Sequence, residues 1–330
     1  MNSSFIYFNR LIKSIIPIVV ALVWLSCSGG KVRSDNNFPV ANNTLSKKDS
    51  ASLHFFVLGD WGFNGSNDQE KVESEMNQIS RLVGLNFILT CGDNFQYAGV
   101  KSIRDTLWHS NFENVYNDSS LLVPWYPSLG NHDYRGDPDT EVEYSTINKH
   151  WVMPGRYYSF VKEINSNCSV RFIVLDTYGL MQEYRKLTDK TKYDNIVQYA
   201  WFKNLLSGAR EKWIIVTGHY PVFSSGYRHG DTKELKILIK PLLDEYKVDF
   251  YISGHDHDFE HVREKDKSTD YIVTGTGGSA RLVGHNDKTV YALSALGFSY
   301  FSLAQDSAKL YFINSDGFIG YSYVRKKNTK

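Results

Sequence analysis

The sequence predicts a single α/β domain, and three observations support this. Short apolar runs of strand length alternate with segments whose apolar residues recur at helical spacing. Several of the runs stop at a glycine followed by a residue with a metal-ligand side chain, the pattern of loops at the carboxyl ends of strands in α/β folds. Residues 51–330 contain no internal repeat and no second linker, and that length suits one α/β domain.

Residues 53–58 read as a strand ending at Gly59-Asp60, and Val72, Met76, Ile79 and Val83 mark a helix after it. Residues 86–91 form the next strand, ending at Gly92-Asp93. Residues 125–129 lead into Gly130-Asn131-His132-Asp133. Trp151 to Tyr158 reads as a turn before a strand, and residues 171–175 as a strand ending at Asp176. A helix over 198–206 follows, then a strand over 213–217 ending at Gly218-His219. A helix over 234–246 precedes the strand 250–253, which ends at Gly254-His255. Residues 271–279 are glycine-rich but lack the lysine and helix of a phosphate-binding loop, so they predict a strand and a tight turn.

Composition excludes some functions. Hydrophobic residues at 42% and charged residues at 22% are ordinary for a globular protein. The net charge of +1 provides no surface for bulk nucleic acid. Arg10 and Lys13 precede an apolar run over 15–25 that is too short to span a bilayer comfortably, and it reads as the core of an export signal. Leu25-Ser26-Cys27-Ser28-Gly29-Gly30 resembles a bacterial lipoprotein cleavage site, with Cys27 as the lipidated residue. The expected organisation is an export signal over 1–27, a flexible tether over 28–50 and the folded domain over 51–330. The chain is then expected in a bacterial cell envelope, periplasmic or on the outer membrane, touching membrane only through a lipid on Cys27. Cys91 reads as part of a strand and Cys168 as part of a polar turn. Both a single disulfide and two inert thiols are compatible with export.

A glycine followed by aspartate is usually just a turn, and one histidine is usually just a hydrogen-bonded side chain. Together, carboxylates, an amide oxygen and imidazoles make a mixed donor set suited to iron, zinc or manganese. Asp60, Asp93, Asn131, His219, His255 and His257 are too many for one tetrahedral zinc and suit two ions sharing a bridging carboxylate.

Gly59-Asp60-Trp61-Gly62, Gly92-Asp93-Asn94-Phe95, Gly130-Asn131-His132-Asp133, Gly218-His219-Tyr220-Pro221-Val222 and Gly254-His255-Asp256-His257 resemble the ordered blocks of calcineurin-like metallophosphoesterases. They are most similar to the low-molecular-weight purple, or tartrate-resistant, acid phosphatases. The resemblance implies a four-layer α/β/β/α sandwich. It places Asp60 and His257 on a first metal, iron in that family. It places Asn131, His219 and His255 on a second, which is iron, zinc or manganese, with Asp93 as the bridge. His132 would stand beside the substrate as an electrostatic partner or proton donor. His229 would match a second histidine near the substrate, with a one-residue insertion before it. The implied reaction is hydrolysis of a small phosphate monoester by a metal-bound hydroxide.

One position departs from the family. The tyrosine that ligates iron three residues after the bridging aspartate is Gln96 here, and Tyr97 follows it. A non-purple site with weaker preference for ferric ion is therefore expected. Bland readings are expected for His54, His109, His150, His261 and His285, for Asp176 and Arg156, and for the charged segment 181–194. The alternatives to a phosphomonoesterase are a phosphodiesterase or nucleotidase on the same scaffold, and a non-catalytic, envelope-anchored binding protein with an impaired metal site.

Overall fold

The computed structural model describes Leu45, residues 51–187 and residues 197–327. The export signal, Cys27, the tether apart from Leu45, and residues 188–194 of the charged segment 181–194 lie outside these residues. Leu45 packs against the core between the sheets.

Among the described residues thirteen strands form two sheets. The first contains β1 (Leu53–Leu58), β2 (Phe87–Thr90), β3 (Trp125–Pro127), β11 (Gly297–Leu303), β12 (Ser307–Asn314) and β13 (Ile319–Lys326), in the order β13-β12-β11-β1-β2-β3. The second contains β4 (Tyr158–Asn165), β5 (Cys168–Val174), β6 (Trp213–Thr217), β7 (Phe250–Ser253), β8 (Phe259–Arg263), β9 (Asp270–Thr274) and β10 (Thr289–Leu293), in the order β10-β8-β9-β7-β6-β5-β4. Strands β1, β2 and β3 run parallel, as do β5, β6, β7 and β9.

Successive side chains of a strand face opposite ways, and here both faces are covered. In β5, β6 and β7 the residues Phe172, Ile215 and Ile252 enter the core between the sheets. Their neighbours Ile173, Val216 and Tyr251 enter a second core under helices. That second core is closed by α3 (Thr177–Leu187), α4 (Val197–Gly208), α5 (Lys233–Leu238) and α6 (Lys240–Glu245), through Leu180, Phe202, Leu235 and Leu243. On the other side α1 (Asn67–Val83) buries Val72, Met76 and Val83 against the first sheet. Ser66 caps the start of α1 by accepting from the Gln69 N–H, and Gly84 ends it at φ 72°. A short helix α2 (Pro138–Tyr144) lies before β4. The architecture is the expected four-layer sandwich. Aromatic rings join its two sheets: Phe55 stacks on Phe87 and Phe301 at 4.9 and 5.0 Å and meets Phe172 of the other sheet edge-on at 5.3 Å.

Three expectations change. The helix expected over 234–246 is two helices, because Pro241 has no N–H to continue the first. Cys168 is not in a polar turn; it opens β5 and is buried. It and Cys91 are free thiols, so the disulfide alternative is removed. Among the described residues no helix is long and apolar enough to cross a membrane.

Candidate metal centre

The carboxyl ends of β1, β2 and β3 in one sheet and of β6 and β7 in the other supply the residues singled out from the sequence. Glycine allows the loops to crowd together. A Cβ on Gly92, at φ 80°, would lie 2.7 Å from the Gly130 nitrogen and 2.8 Å from the His219 Cβ. A Cβ on Gly254 would lie 2.4 Å from Asp60 Oδ2. Asp60, Asp93 and His255 adopt φ values of 54°, 50° and 69°, left-handed conformations that side chains rarely take outside functional turns.

All six expected donors converge. Ligand atoms of Asp60, Asp93 and His219 lie within 4.8 Å of one another. His219 Nε2 is 3.1 Å from Asn131 Oδ1, 3.1 Å from His255 Nδ1 and 3.5 Å from Asp93 Oδ1. His257 Nε2 is 3.2 Å from Asp60 Oδ1. The remaining polar atoms orient these groups. His219 Nδ1 donates to the Cys91 carbonyl at 2.8 Å, leaving Nε2 with a lone pair aimed at the cluster. His257 Nδ1 bonds Ser279 Oγ. The His255 N–H donates to Asp60 Oδ2 and the His132 N–H to Asp93 Oδ1, each at 2.8 Å.

Burial dominates the electrostatics. It pushes Asp60 up to about 7, against the opposing pull of His219. It also pushes Asp93 up to about 7, with the Asp60 charge adding to the rise. Burial drives His257 down to about 3, aided by Arg281, and lowers His219 and His255. The imidazoles are therefore neutral, the form that ligates metals. The buried Asp60 Oδ1 receives no hydrogen bond. An orphaned buried carboxylate oxygen beside neutral imidazoles calls for a cation, so the donor set fits metal ions.

Gln96 is buried and its Nε2 donates to Asp93 Oδ2 at 3.2 Å. The side chain at position 96 thus points at the carboxylate expected to bridge. Tyr97 does not replace the missing phenol, because it is 69% exposed and its ring lies against Phe63 and His132. Its N–H donates to His132 Nδ1 at 3.2 Å, which leaves the proton of a neutral His132 on Nε2. Nε2 lies 3.8 Å from Asp93 Oδ2, facing the cluster. His229 stacks on His255 with ring centroids 4.0 Å apart, at the rim.

The sequence reading missed what holds the loops. Asp133 is buried and accepts the N–H groups of Gly130, Phe95 and Asn94 at 2.8, 2.9 and 3.2 Å. It ties the Asp93 loop to the Asn131 loop. Its place beside Asn131-His132 in one block was the available signal. Asn94 donates to Glu141 at 2.9 Å, extending the buried network into α2.

The bland assignments are structural. Arg156 pairs bidentately with Asp139 at 2.7 Å. Asp176 accepts from Tyr134 and from the Gly179 N–H. His54 bonds Tyr300, His109 pairs with Glu113, and His261 bonds Asp270 and Tyr321. His150 lines an apolar pocket with Phe112 and Trp125, and His285 is exposed.

A family model, calcineurin-like phosphoesterase, matches residues 53–259. The chain belongs to that family. Relatives within it include Purple acid phosphatase 17 of Arabidopsis thaliana, 32% identical over 298 residues, which are 85% of this chain and 86% of that one. Tartrate-resistant acid phosphatase type 5 of Homo sapiens is 34% identical over 240 residues, 68% of this chain and 73% of its own length. Among solved structures, GAP50, described as the anchor in the inner membrane complex of Plasmodium, aligns with a TM-score of 0.76 and 28% identity over 85% of this chain and 90% of that one. A purple acid phosphatase from yellow lupin seeds aligns with a TM-score of 0.61 and 16% identity over 85% of this chain and 55% of its own, a likeness of fold. Membership in the calcineurin-like phosphoesterases implies a two-metal site and makes the chain a metal-dependent phosphoesterase with purple acid phosphatases as homologues.

Proposed function

We propose that this chain hydrolyses small phosphate monoesters at a two-metal centre held by Asp60, His257, Asn131, His219 and His255, with Asp93 bridging. The observation that supports this most directly is the convergence of ligand atoms around Asp60 Oδ1, a buried carboxylate oxygen that no hydrogen bond satisfies. Two bound cations would supply charge to clamp the phosphate and to lower the pKa of the attacking water.

The chain's own groups do the rest. The His219 Nδ1–H bond to Cys91 and the His257 bond to Ser279 keep two ligand rings from turning. The His132 N–H holds Asp93 Oδ1, fixing the tilt of the bridging carboxylate. Its Nε2–H faces the centre, placed to hydrogen-bond the leaving oxygen as negative charge develops on it. Burial lowers the pKa of His132 and so favours this neutral form. His229 stands where it can meet the substrate beside His255.

Export through residues 1–27 and lipidation of Cys27 belong to this proposal and rest on the sequence alone. The anchor role stated for the Plasmodium neighbour belongs to that protein. A complete donor set around buried acceptors favours catalysis here.

The test is hydrolysis of p-nitrophenyl phosphate against bis-p-nitrophenyl phosphate across pH, by protein reconstituted with iron, zinc or manganese. Metal-dependent turnover of the monoester, lost in His132→Ala by about 100-fold, supports the proposal. Preference for the diester overturns the monoesterase reading, and no turnover with any metal overturns both.

A further inference from the structure

Of the large apolar side chains exposed among the described residues, the three most exposed are Tyr227 at 77%, Leu282 at 74% and Tyr97 at 69%. All three stand on loops around the metal centre. Tyr97 donates its N–H to His132 Nδ1, and its carbonyl accepts from Arg135 Nη1 at 3.1 Å. These bonds hold it at φ 73°, a conformation that a bulky residue rarely takes, with its ring out in solvent. Leu282 follows Arg281, whose N–H donates to the His257 carbonyl at 2.6 Å. Tyr227 follows Gly226, where a Cβ would lie 2.4 Å from the Asp256 carboxyl carbon, and precedes Arg228-His229, which reaches His255. The loops of Tyr227 and Leu282 brace each other. Gly226 and Val283 form a bridge, and a Cβ on Gly284 would lie 3.3 Å from the Tyr227 ring.

Apolar side chains exposed singly over a surface need no explanation, but a set gathered at the mouth of a site marks a surface that binds something. A protein partner would need pockets cut to receive these projecting side chains. The headgroup layer of a bilayer takes tyrosine and leucine without any match of shape. Charge does not select the surface, because the cavity of about 330 Å³ beside His255 is lined by Arg228 and Lys233 and equally by Asp231 and Glu234. Apolar burial decides, and no anionic lipid is required. The reach also suits a bilayer. With a lipid on Cys27, the chain from there to Leu45, which packs on the core, extends up to about 60 Å. A domain of this size is about 50 Å across, so the rim can meet the bilayer wherever the tether leaves it.

We propose that Tyr227, Leu282 and Tyr97 enter the headgroup layer of a lipid bilayer, and that the centre takes its phosphate monoester from a lipid headgroup. This rests on the two-metal phosphatase and lipid-anchor readings. Hydrolysis of such a lipid consumes one water, breaks the bond between phosphorus and the oxygen of the lipid alcohol, and releases inorganic phosphate and that alcohol.

The experiment places the metal-loaded, lipid-bearing full chain on phosphatidylcholine vesicles that contain phosphatidate. Turnover of phosphatidate and of soluble p-nitrophenyl phosphate is compared in the wild type and in the Tyr227→Ser, Leu282→Ser double variant, and thermal melts confirm folding. The anchor keeps the amount of bound protein equal. The variant is expected to lower phosphatidate turnover by about 100-fold, since burial of one such side chain is worth about tenfold. Turnover of p-nitrophenyl phosphate is expected to stay unchanged. A second measurement needs no turnover. An environment-sensitive fluorophore on Leu282→Cys, with Cys91 and Cys168 buried, is expected to be quenched by spin-labelled lipid. The same label on Gln305→Cys is expected to stay in water. Gln305 follows β11, whose last residue pairs with the first of β1, at the end of the sheet away from the centre. Equal quenching at the two positions, or a double variant that hydrolyses phosphatidate as fast as the wild type, overturns the proposal. If the wild type turns over neither substrate, the phosphatase reading falls, and the quenching alone decides for or against the docking.

Discussion

Replacing Asp133 by alanine removes the acceptor of three backbone N–H groups, those of Gly130, Phe95 and Asn94, at 2.8, 2.9 and 3.2 Å. The residue is fully buried, so water does not take over these bonds without entering the core. An unsatisfied buried donor costs about 1–3 kcal/mol, and partial relaxation of the loops places the sum for three at about 3–6 kcal/mol. For a domain of this size that corresponds to a fall of about 6–12 °C in Tm. The same donors lie on the loops that carry Asp93 and Asn131, so the centre loosens as well, and kcat/KM falls by about 100-fold for a displacement on the order of 1 Å. Asp133→Asn keeps one oxygen and is expected to lose about half as much stability, within the same range of buried hydrogen-bond costs. Differential scanning calorimetry of the three proteins, with kinetics on the same samples, measures both effects. A Tm for Asp133→Ala within about 2 °C of wild type would refute the claim that this carboxylate ties the loops.

Two further outcomes follow. The iron-loaded protein is expected to lack a visible charge-transfer band, and Gln96→Tyr to gain one, because the side chain at 96 points at Asp93; absorption spectra check this, and a strong band in the wild type contradicts it. In the metal-free protein Asp133 is pushed up to about 8, by burial and then by Asp93, and Glu141 well above the usual carboxylate range, by burial and then by Asp133. Both folded values exceed the unfolded ones, so the folded state binds more protons over that interval. Stability is full near pH 4 and is lost as pH rises through about 8. Denaturant midpoints at about pH 5.5 and about pH 8.5 should fall in that order, and Glu141→Gln should reduce the difference; a midpoint that rises with pH contradicts the assignment.

The parts of the site legible in the sequence are those set by local chain order. Asp60, Asp93, Asn131, His219 and His255 each follow the end of a parallel strand, so apolar runs and the glycines after them mark the ligands one by one. His257 lies two residues beyond His255 on the same loop. The fold class was legible for the same reason, since β1, β2, β6 and β7 are buried on both faces and read as continuous apolar runs. Strands β8, β11 and β12 were not picked out from the sequence although they are largely buried, and neither were β10 and β13, which are half exposed and mix tyrosine with charge. The split between α5 and α6 was visible in Pro241 and was passed over. Arg281 lay out of reach for a different reason. Its N–H donates to the carbonyl of His257, a contact between segments that no periodicity relates.

The central claim is that loops from two sheets bring six donors together to hold two metal ions. Metal content per chain, measured after reconstitution and exhaustive dialysis in the wild type and in Asp93→Asn, tests it most directly. The account predicts two equivalents in the wild type and a loss of at least one on removing the bridging charge. A wild-type protein that retains no metal, or an Asp93→Asn variant that retains as much as the wild type, would contradict it.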